Sequence, residues 1–498
     1  MSETLSGAEA RRAARNAGAI AAARIVSSAA LFGWQLILGR ALGEVLFGVY
    51  NTVGALFAIG VTITAFSMSL IAIRDVARRP ESAGRYLSAT LTIQTMLGLV
   101  AYVGINLAAQ GYDETIRAFV GVAGLSLFID ALGNMCYDQL IAQERMVSIS
   151  VVEVAHILVR IGAAARVVWA GYGLLGVYIV TIVSGIGRSA ALWVLLLRTG
   201  VRPHFPVDRS IARPLIINSA PLALAAFINI TYQQIDKLLT TGLLTKADTG
   251  HLGAAMVIIA GVVEILSTTV LVAIYPMMSR AYRGDGQDAT FRFIGEKLAF
   301  FTLLIGLPIG LIFSRFADEI IVPLFGSAYV ETAAILRVLI WYAVVTMVAN
   351  VFAQALMVQN RQRFLVVVRI GGLVIKLALS LFLLPRVGVT GAALATAGSE
   401  ILVLLVLTRD FRPDHAALLP RLARLGGAAL VAALAMVALG AIHPLLGMIG
   451  GGLVYAGGIL VGRVLAADDW DLLYRLAAAV PGGGLILRYW HRAVELNW

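Results

Sequence analysis

Apolar runs of about 20 residues, separated by short polar connections, recur along nearly the whole chain. Each run is long enough to cross a hydrocarbon core about 30 Å thick as a helix. None shows the ten-residue alternation of a barrel strand, so the pattern predicts helices that satisfy their own backbone in lipid. The runs begin near Asn16, Gly48, Leu87, Arg117, Ser148, Gly173, Pro214, Gly253, Arg292, Ala333, Leu365, Val389, Leu425 and Leu446. That is about 14 transmembrane helices with no soluble domain between them. The predicted fold class is all-α, a polytopic membrane protein.

Composition agrees. Of 498 residues, 60% are hydrophobic and 13% charged, with a mean hydropathy of +0.88. A soluble chain is about 45–50% apolar and about 25% charged. The 50 glycines suit helices that pack backbone to backbone. The single cysteine, Cys136, excludes an intramolecular disulfide framework and a Cys-cluster metal site. The polar start "MSETLSGAEARRAARN" lacks a short apolar region with a cleavage site, so no removed signal peptide is expected.

The net charge of +11 would suggest nucleic acid in a soluble protein. Here the arginines sit between spans, where they set topology and meet anionic lipid headgroups. Membrane lipids are therefore expected partners and nucleic acid is not. Alternate connections carry the arginines: Arg11, Arg12 and Arg15; Arg74, Arg78, Arg79 and Arg85; Arg198, Arg202, Arg209 and Arg213; Arg280 and Arg283; Arg361 and Arg363; Arg409, Arg412, Arg421 and Arg424. The connections between them are poor in arginine or acidic. The rule that positive loops stay inside then places both termini in the cytoplasm. A missed span would invert the pattern, and none does.

The two halves echo each other. "RALGEVLFGVYNTVGAL" from Arg40 matches "GLLTKADTGHLGAAMVI" from Gly242, and "WAGYGLLGVYIVTIVSG" from Trp169 matches "LLPRVGVTGAALATAGS" from Leu383. In the second match a Gly, two residues and a Gly enter the next span: Gly173 and Gly176, then Gly388 and Gly391. The offsets are about 202 and 214 residues, and an even number of spans lies between the repeats, so the halves share one orientation, as in transporters built from parallel repeats. The expected divisions are an N-terminal lobe at 1–205, a C-terminal lobe at 206–410, two more helices at 411–467, and an amphipathic cytoplasmic tail at 468–498.

Several stretches resemble a known family. "LGRALGEVLFGVYNTV" resembles the first outer turn of oligosaccharide flippases, and "APLALAAFINITYQQIDKLLTTGLL" their seventh span, with its Asp. "YPMMSRAYRGD", "IIVPLFGSAYVETAAILRVL" and "LPRVGVTGAALATAGSEILVLL" resemble later joins, in order and at the expected spacing. The chain is similar to the polysaccharide (Wzx-like) branch of the superfamily that includes lipid II flippases and multidrug/toxic-compound extruders. The resemblance implies two lobes around a central cavity. It implies alternating access that carries an undecaprenyl-pyrophosphate-linked oligosaccharide from the cytoplasmic to the outer leaflet of the bacterial inner membrane. A polysaccharide polymerase or glycosyltransferases are the protein partners it suggests.

Ionisable residues inside spans are functional candidates by default. The cations are Arg24, Arg160, Arg166, Arg188, Lys237, Arg369 and Lys376; the acids are Asp130, Glu153, Asp236, Glu264 and Glu400. A diphosphate headgroup needs compensating charge, which Arg supplies bidentately. Arg24, Arg160, Arg166 and Lys237 are the substrate-binding candidates, with snorkelling to headgroups the alternative for Arg24 and Arg166. Glu153, His156 and Arg160 fall on one helical face, as a salt-bridge ladder or a cavity wall. Glu264 needs a partner or a proton.

In "YQQIDKLLTTGLL", Asn229, Gln233, Asp236 and Thr240 form a polar stripe at helical spacing, and Lys237 lies about 100° away. Neighbours on a helix do not face each other, so Asp236 needs a partner elsewhere. In some relatives an acid on the seventh span joins groups on the eleventh to hold Na⁺; the matching positions here are Lys376 and Ser380. The expectation is an Asp236–Lys376 ion pair in place of the ion. Asp236, Lys376 and Glu264 are the coupling or ion-pair candidates.

No nucleotide loop, metal-ligand cluster or catalytic loop domain is present in the sequence. A transporter without cofactor is expected, not an enzyme, with proton, Na⁺ and membrane potential all open as driving force. The alternatives are a cation-coupled multidrug antiporter of the same fold, a membrane glycosyltransferase or polymerase, and a non-transporting scaffold.

Overall fold

The computed structural model describes the backbone of residues 7–282, 289–466 and 469, and the side chains of 26–263, 278–279, 282, 290–414, 418–466 and 469. Every regular element among the described residues is helical. The helices are α1 (Gly7–Ala65), α2 (Ser69–Arg78), α3 (Ala83–Ala109), α4 (Glu114–Gly124), α5 (Ser126–Ala142), α6 (Met146–Trp169), α7 (Gly173–Leu197), α8 (Arg209–Leu243), α9 (Lys246–Ala281), α10 (Ala289–Arg315), α11 (Ala317–Phe325), α12 (Thr332–Val358), α13 (Gln362–Val387), α14 (Val389–Phe411), α15 (His415–Gly440) and α16 (Pro444–Val461).

Each predicted span start falls within one of these helices. Thirteen described stretches are long and apolar enough to cross a bilayer, and the first, Val26–Arg78, contains two spans. They are divided at Gly43, whose φ of 71° breaks α1 into two segments. Only Leu125 separates α4 from α5, which together make the fourth span. Two short helices, α2 and α11, are additions to the predicted set. In α2, Ile71, Ala72 and Val76 are buried on one side, the amphipathic arrangement of a helix lying along an interface. The tail beyond residue 469, expected to be amphipathic, lies outside the described residues.

The chain forms two compact units. The first comprises residues 1–261, 321–339 and 366–399. Its core includes Leu87, Met135, Cys136, Leu140, Leu192 and Leu196, and an aromatic group in which Tyr329 packs on Phe325 and Phe47. The second comprises 262–320, 340–365 and 400–498. There α15 and α16 pack through glycines: a Cβ at Gly451 would come within 2.1 Å of the Met436 side chain, and one at Gly458 within 3.0 Å of Ala428. Lipid tails are as apolar as leucine, so close backbone approach of this kind, not hydrophobic exclusion, is what holds membrane helices together. A bidentate pair, Arg361 Nη1 and Nη2 to Asp410 at 2.7 and 2.8 Å, adds a polar fastening in the same unit.

Both echoes of sequence are echoes of geometry. Gly173 and Gly388 each adopt a positive φ, 57° and 69°, just before or at the start of a helix. Three residues on, Gly176 and Gly391 each press on the end of the preceding helix: a Cβ would meet Val167 at 2.1 Å and the Leu383 backbone at 2.7 Å. The other pair of turns pack on one another. A Cβ at Gly48 would stand 1.8 Å from the Lys246 carbonyl oxygen, and one at Gly250 would stand 2.0 Å from the Glu44 carbonyl oxygen. In the matched sequences Gly48 corresponds to Gly250 and Glu44 to Lys246. The contact is therefore reciprocal, as a local two-fold relation between repeats requires. The two turns are built differently. Gly43 uses its left-handed φ, whereas Thr245 caps α9 with Asp248: Thr245 N–H donates to Asp248 Oδ2 at 3.1 Å and Asp248 N–H to Thr245 Oγ1 at 3.1 Å.

Candidate functional site

Along α8 the buried line is Ser219, Ala223, Ile228, Tyr232, Asp236 and Thr240. Asn229 and Gln233, expected to share the stripe with Asp236, are exposed. The inward stripe is thus shifted by one residue toward Tyr232, whose ring and backbone serve the site. Opposite it, α13 buries Gly372, Lys376 and Ser380, again four apart.

These two faces meet. Lys376 Nζ lies 2.6 Å from Asp236 Oδ2, with both side chains almost fully buried. The ammonium also donates to the Tyr232 carbonyl at 2.7 Å and stands 4.5 Å from the centre of the Tyr232 ring. On α14, Thr396 Oγ1 donates to the same Asp236 oxygen at 2.7 Å. The Tyr232 hydroxyl lies 3.1 Å from Ser399 Oγ, and Ser399 donates to the Thr396 carbonyl at 2.9 Å. Three helices are therefore tied by one polar network.

Such a pair contributes little net stability, because desolvation offsets attraction, but removing one partner costs about 3–5 kcal/mol. The ammonium and the Thr396 hydroxyl both direct protons at Asp236 Oδ2, so that oxygen is not open to a Na⁺ ion. Asp236 Oδ1, Thr240 Oγ1 and Ser380 Oγ have no hydrogen-bond partner among the described residues. Lys237 is half-buried and, among the described residues, has no carboxylate within ion-pair distance. The adjacent charges of the sequence are thus separate.

A second cluster lies in the first half of the chain. Arg188 of α7 donates through Nε to Glu153 of α6 at 2.8 Å, its Nη2 stands 2.7 Å from the same carboxylate oxygen, and Nη2 also donates to Asn134 of α5 at 3.1 Å. The expected ladder along α6 does not form. Glu153 and Arg160 are seven residues apart, about 10 Å along the axis, and Glu153 instead takes the arginine of the neighbouring helix. Arg160 is left half-buried with no carboxylate within 4 Å among the described residues, and Arg166 is exposed near the helix end. His156 Nε2 is buried without a hydrogen-bond partner among the described residues. The side chains of Arg24 and Glu264 lie outside the described residues.

The reciprocal turns carry a third cluster, on the side predicted as outer. Thr52 Oγ1 lies 2.6 Å from Thr241 Oγ1, which lies 2.8 Å from Thr249 Oγ1. The Tyr112 hydroxyl donates to the Leu238 carbonyl at 3.1 Å. Lys246 pairs with Asp113, the N-cap of α4, which also accepts from the Ile116 N–H at 3.0 Å. Burial pushes the Asp113 carboxyl up, but the bonds from Lys246 and Ile116 outweigh it and hold it below the usual carboxylate range. Nearby, the Tyr329 hydroxyl donates to the Gly39 carbonyl at 2.8 Å. His251 Nδ1 lies 3.2 Å from Thr332 Oγ1.

A family model described as "Polysaccharide biosynthesis protein" matches residues 37–334. No curated protein matches the chain. Among solved structures, lipid II flippase MurJ in an inward closed conformation is similar over 89% of this chain and 98% of its own, with a TM-score of 0.71 and 13% identity. A multidrug resistance transporter of the MATE family and MOP superfamily is similar in its inward-facing form over 78% of this chain and 94% of its own, with a TM-score of 0.60 and 13% identity. An outward-facing MATE-family structure covers 79% of this chain and 94% of its own, with a TM-score of 0.55 and 16% identity. At these identities the likeness establishes the fold.

Proposed function

The chain belongs to the polysaccharide biosynthesis protein family, and from that premise we propose that it flips an undecaprenyl-pyrophosphate-linked oligosaccharide from the cytoplasmic to the outer leaflet of the inner membrane by alternating access. The observation that carries this reading is the guanidinium of Arg160, half-buried within a span and with no carboxylate within 4 Å among the described residues. A charge within a span must be paired or face a polar cavity. Glu153, the nearest acid on its own helix face, is committed to Arg188. An anionic headgroup would give Arg160 the direct ion pair that it lacks among the described residues. Arg24, Arg166 and Lys237 complete the proposed headgroup-binding set. The Asp236–Lys376 network holds α8, α13 and α14 together as one body that moves in the transport cycle. Two lobes, 1–205 and 206–410, provide the alternating halves, with both termini cytoplasmic and the polymerase or glycosyltransferases acting on the delivered glycan.

The test is genetic. A strain lacking this chain accumulates undecaprenyl-linked glycan on the cytoplasmic side, and the intact chain relieves the accumulation. Arg160→Ala relieves it poorly. Rescue by Arg160→Ala equal to wild type would overturn the assignment of the headgroup site.

A further inference from the structure

A cavity of about 360 Å³ lies between α1, α2, α3 and α5. On α5 it is lined by Asp130, Asn134 and Asp138, one helical turn apart. Thr64, Ser69 and Gln94 face it from the other three helices. Asp138 is 8% exposed and Gln94 3% exposed. Ser69 shares the cavity lining with Asp138. Among the described residues no Lys or Arg nitrogen comes within 4 Å of the Asp138 carboxylate, and the cavity lining contains no cation. The Gln94 Oε1 atom is buried and has no hydrogen-bond partner among the described residues. Asp130 differs: it lies in the field of Arg188 and Arg160, as well as of Glu153.

A buried ionised carboxylate without counter-charge is among the costliest groups a fold can hold, and a buried carbonyl oxygen without a donor adds to it. Here both face one space. We infer that this cavity binds a monovalent metal cation, seated between the Asp138 carboxylate and the Gln94 side-chain carbonyl and retaining part of its water shell. Oxygen-only ligands are those a hard cation takes. A single charge balances the one uncompensated carboxylate. A divalent ion would need a second, and Asp130 stands about 12 Å away along α5. The site is separate from the Asp236 network on α8, whose counter-ion is Lys376. It is independent of which glycan the chain carries.

The test is direct binding of ²²Na⁺ to the purified full-length chain in choline chloride, without glycan. Wild type shows saturable binding that unlabelled Na⁺ competes and choline does not. Asp138→Asn weakens it at least tenfold, Gln94→Leu weakens it several-fold, and Ser380→Ala, one turn from Lys376 on α13, leaves it within twofold. Absence of saturable Na⁺, Li⁺ or Rb⁺ binding in wild type overturns the inference. So does binding that Asp138→Asn leaves within twofold, or that Ser380→Ala weakens as much. Should Asp138→Asn not fold, Gln94→Leu decides alone by the same criterion. Because the assay contains no glycan, its failure leaves the flipping reading standing.

Discussion

Gly250→Ala tests whether the reciprocal turns act as the outer seal. The added methyl would sit 2.0 Å from the Glu44 carbonyl oxygen, 2.8 Å from its carbon and 3.1 Å from Glu44 Cα. A favourable C···O approach is about 3.3–3.6 Å, so the turn must retreat by more than about 1 Å. All three nearest atoms are backbone, so no side-chain rotation relieves the overlap. Overpacking of this kind costs about 1–3 kcal/mol. The cost falls on the sealed arrangement and not on one in which the turns have parted. It therefore shifts the ratio of parted to sealed by roughly 5–150-fold. Thr241→Cys reports the shift. Thr241 lies between Thr52 and Thr249 within the seal, and the native Cys136 is buried. A membrane-impermeant maleimide should label Thr241→Cys faster by that factor when Gly250→Ala is also present. Gly54→Ala, where a Cβ meets nothing within 4 Å, should leave the rate unchanged. Equal labelling with and without Gly250→Ala, in a protein that still folds, would refute the idea that these turns close the outer side.

Lys376→Met should lower stability by about 3–5 kcal/mol by stranding Asp236, whereas Lys376→Met with Asp236→Leu should recover most of the loss; thermal unfolding of the purified variants decides. Arg188→Ala frees Glu153 and removes the tie to α5, so it should destabilise more than Arg166→Ala, whose exposed side chain makes no comparable bond among the described residues. The lowered carboxyl of Asp113 gives a pH dependence. Its contribution is present above the ordinary carboxylate value of about 3.9 and is lost as pH falls through the lower folded value. The difference in melting temperature between wild type and Asp113→Asn should therefore be largest near neutrality and close in acid. A constant difference across that window would contradict the Lys246–Asp113 pair.

The spans were legible because lipid leaves a helix few ways to satisfy its backbone, so each apolar run of sufficient length maps onto a helix; the short helices α2 and α11 are not spans and left no such run. The Gly173 and Gly388 turns were legible because glycine alone tolerates their backbone angles without strain. Asp236 and Lys376 could be paired because the resemblance sets the acid of the seventh span against these positions of the eleventh. Helical angle was less reliable: the stripe through Asn229 and Gln233 lies one residue away from the line that α8 buries, since spacing fixes relative faces but not which face turns inward. The Glu153–Arg188 bond was hidden because it joins different helices, and proximity along α6 favoured Arg160. Asp138 and Gln94 left no signal at all. A single polar residue near a span end reads as an interfacial one, and only packing shows that four helices enclose it.

The most direct test of the account is transfer of the lipid itself. Proteoliposomes containing the purified chain and an undecaprenyl-pyrophosphate-linked oligosaccharide are treated with an external enzyme that cleaves the glycan. The account predicts that the entire pool becomes cleavable with wild type, that Arg160→Ala slows the conversion, and that without protein only the outer-leaflet share is ever reached. Cleavage confined to the outer-leaflet share with active, folded wild type, alongside transport of a cationic drug by the same vesicles, would contradict it.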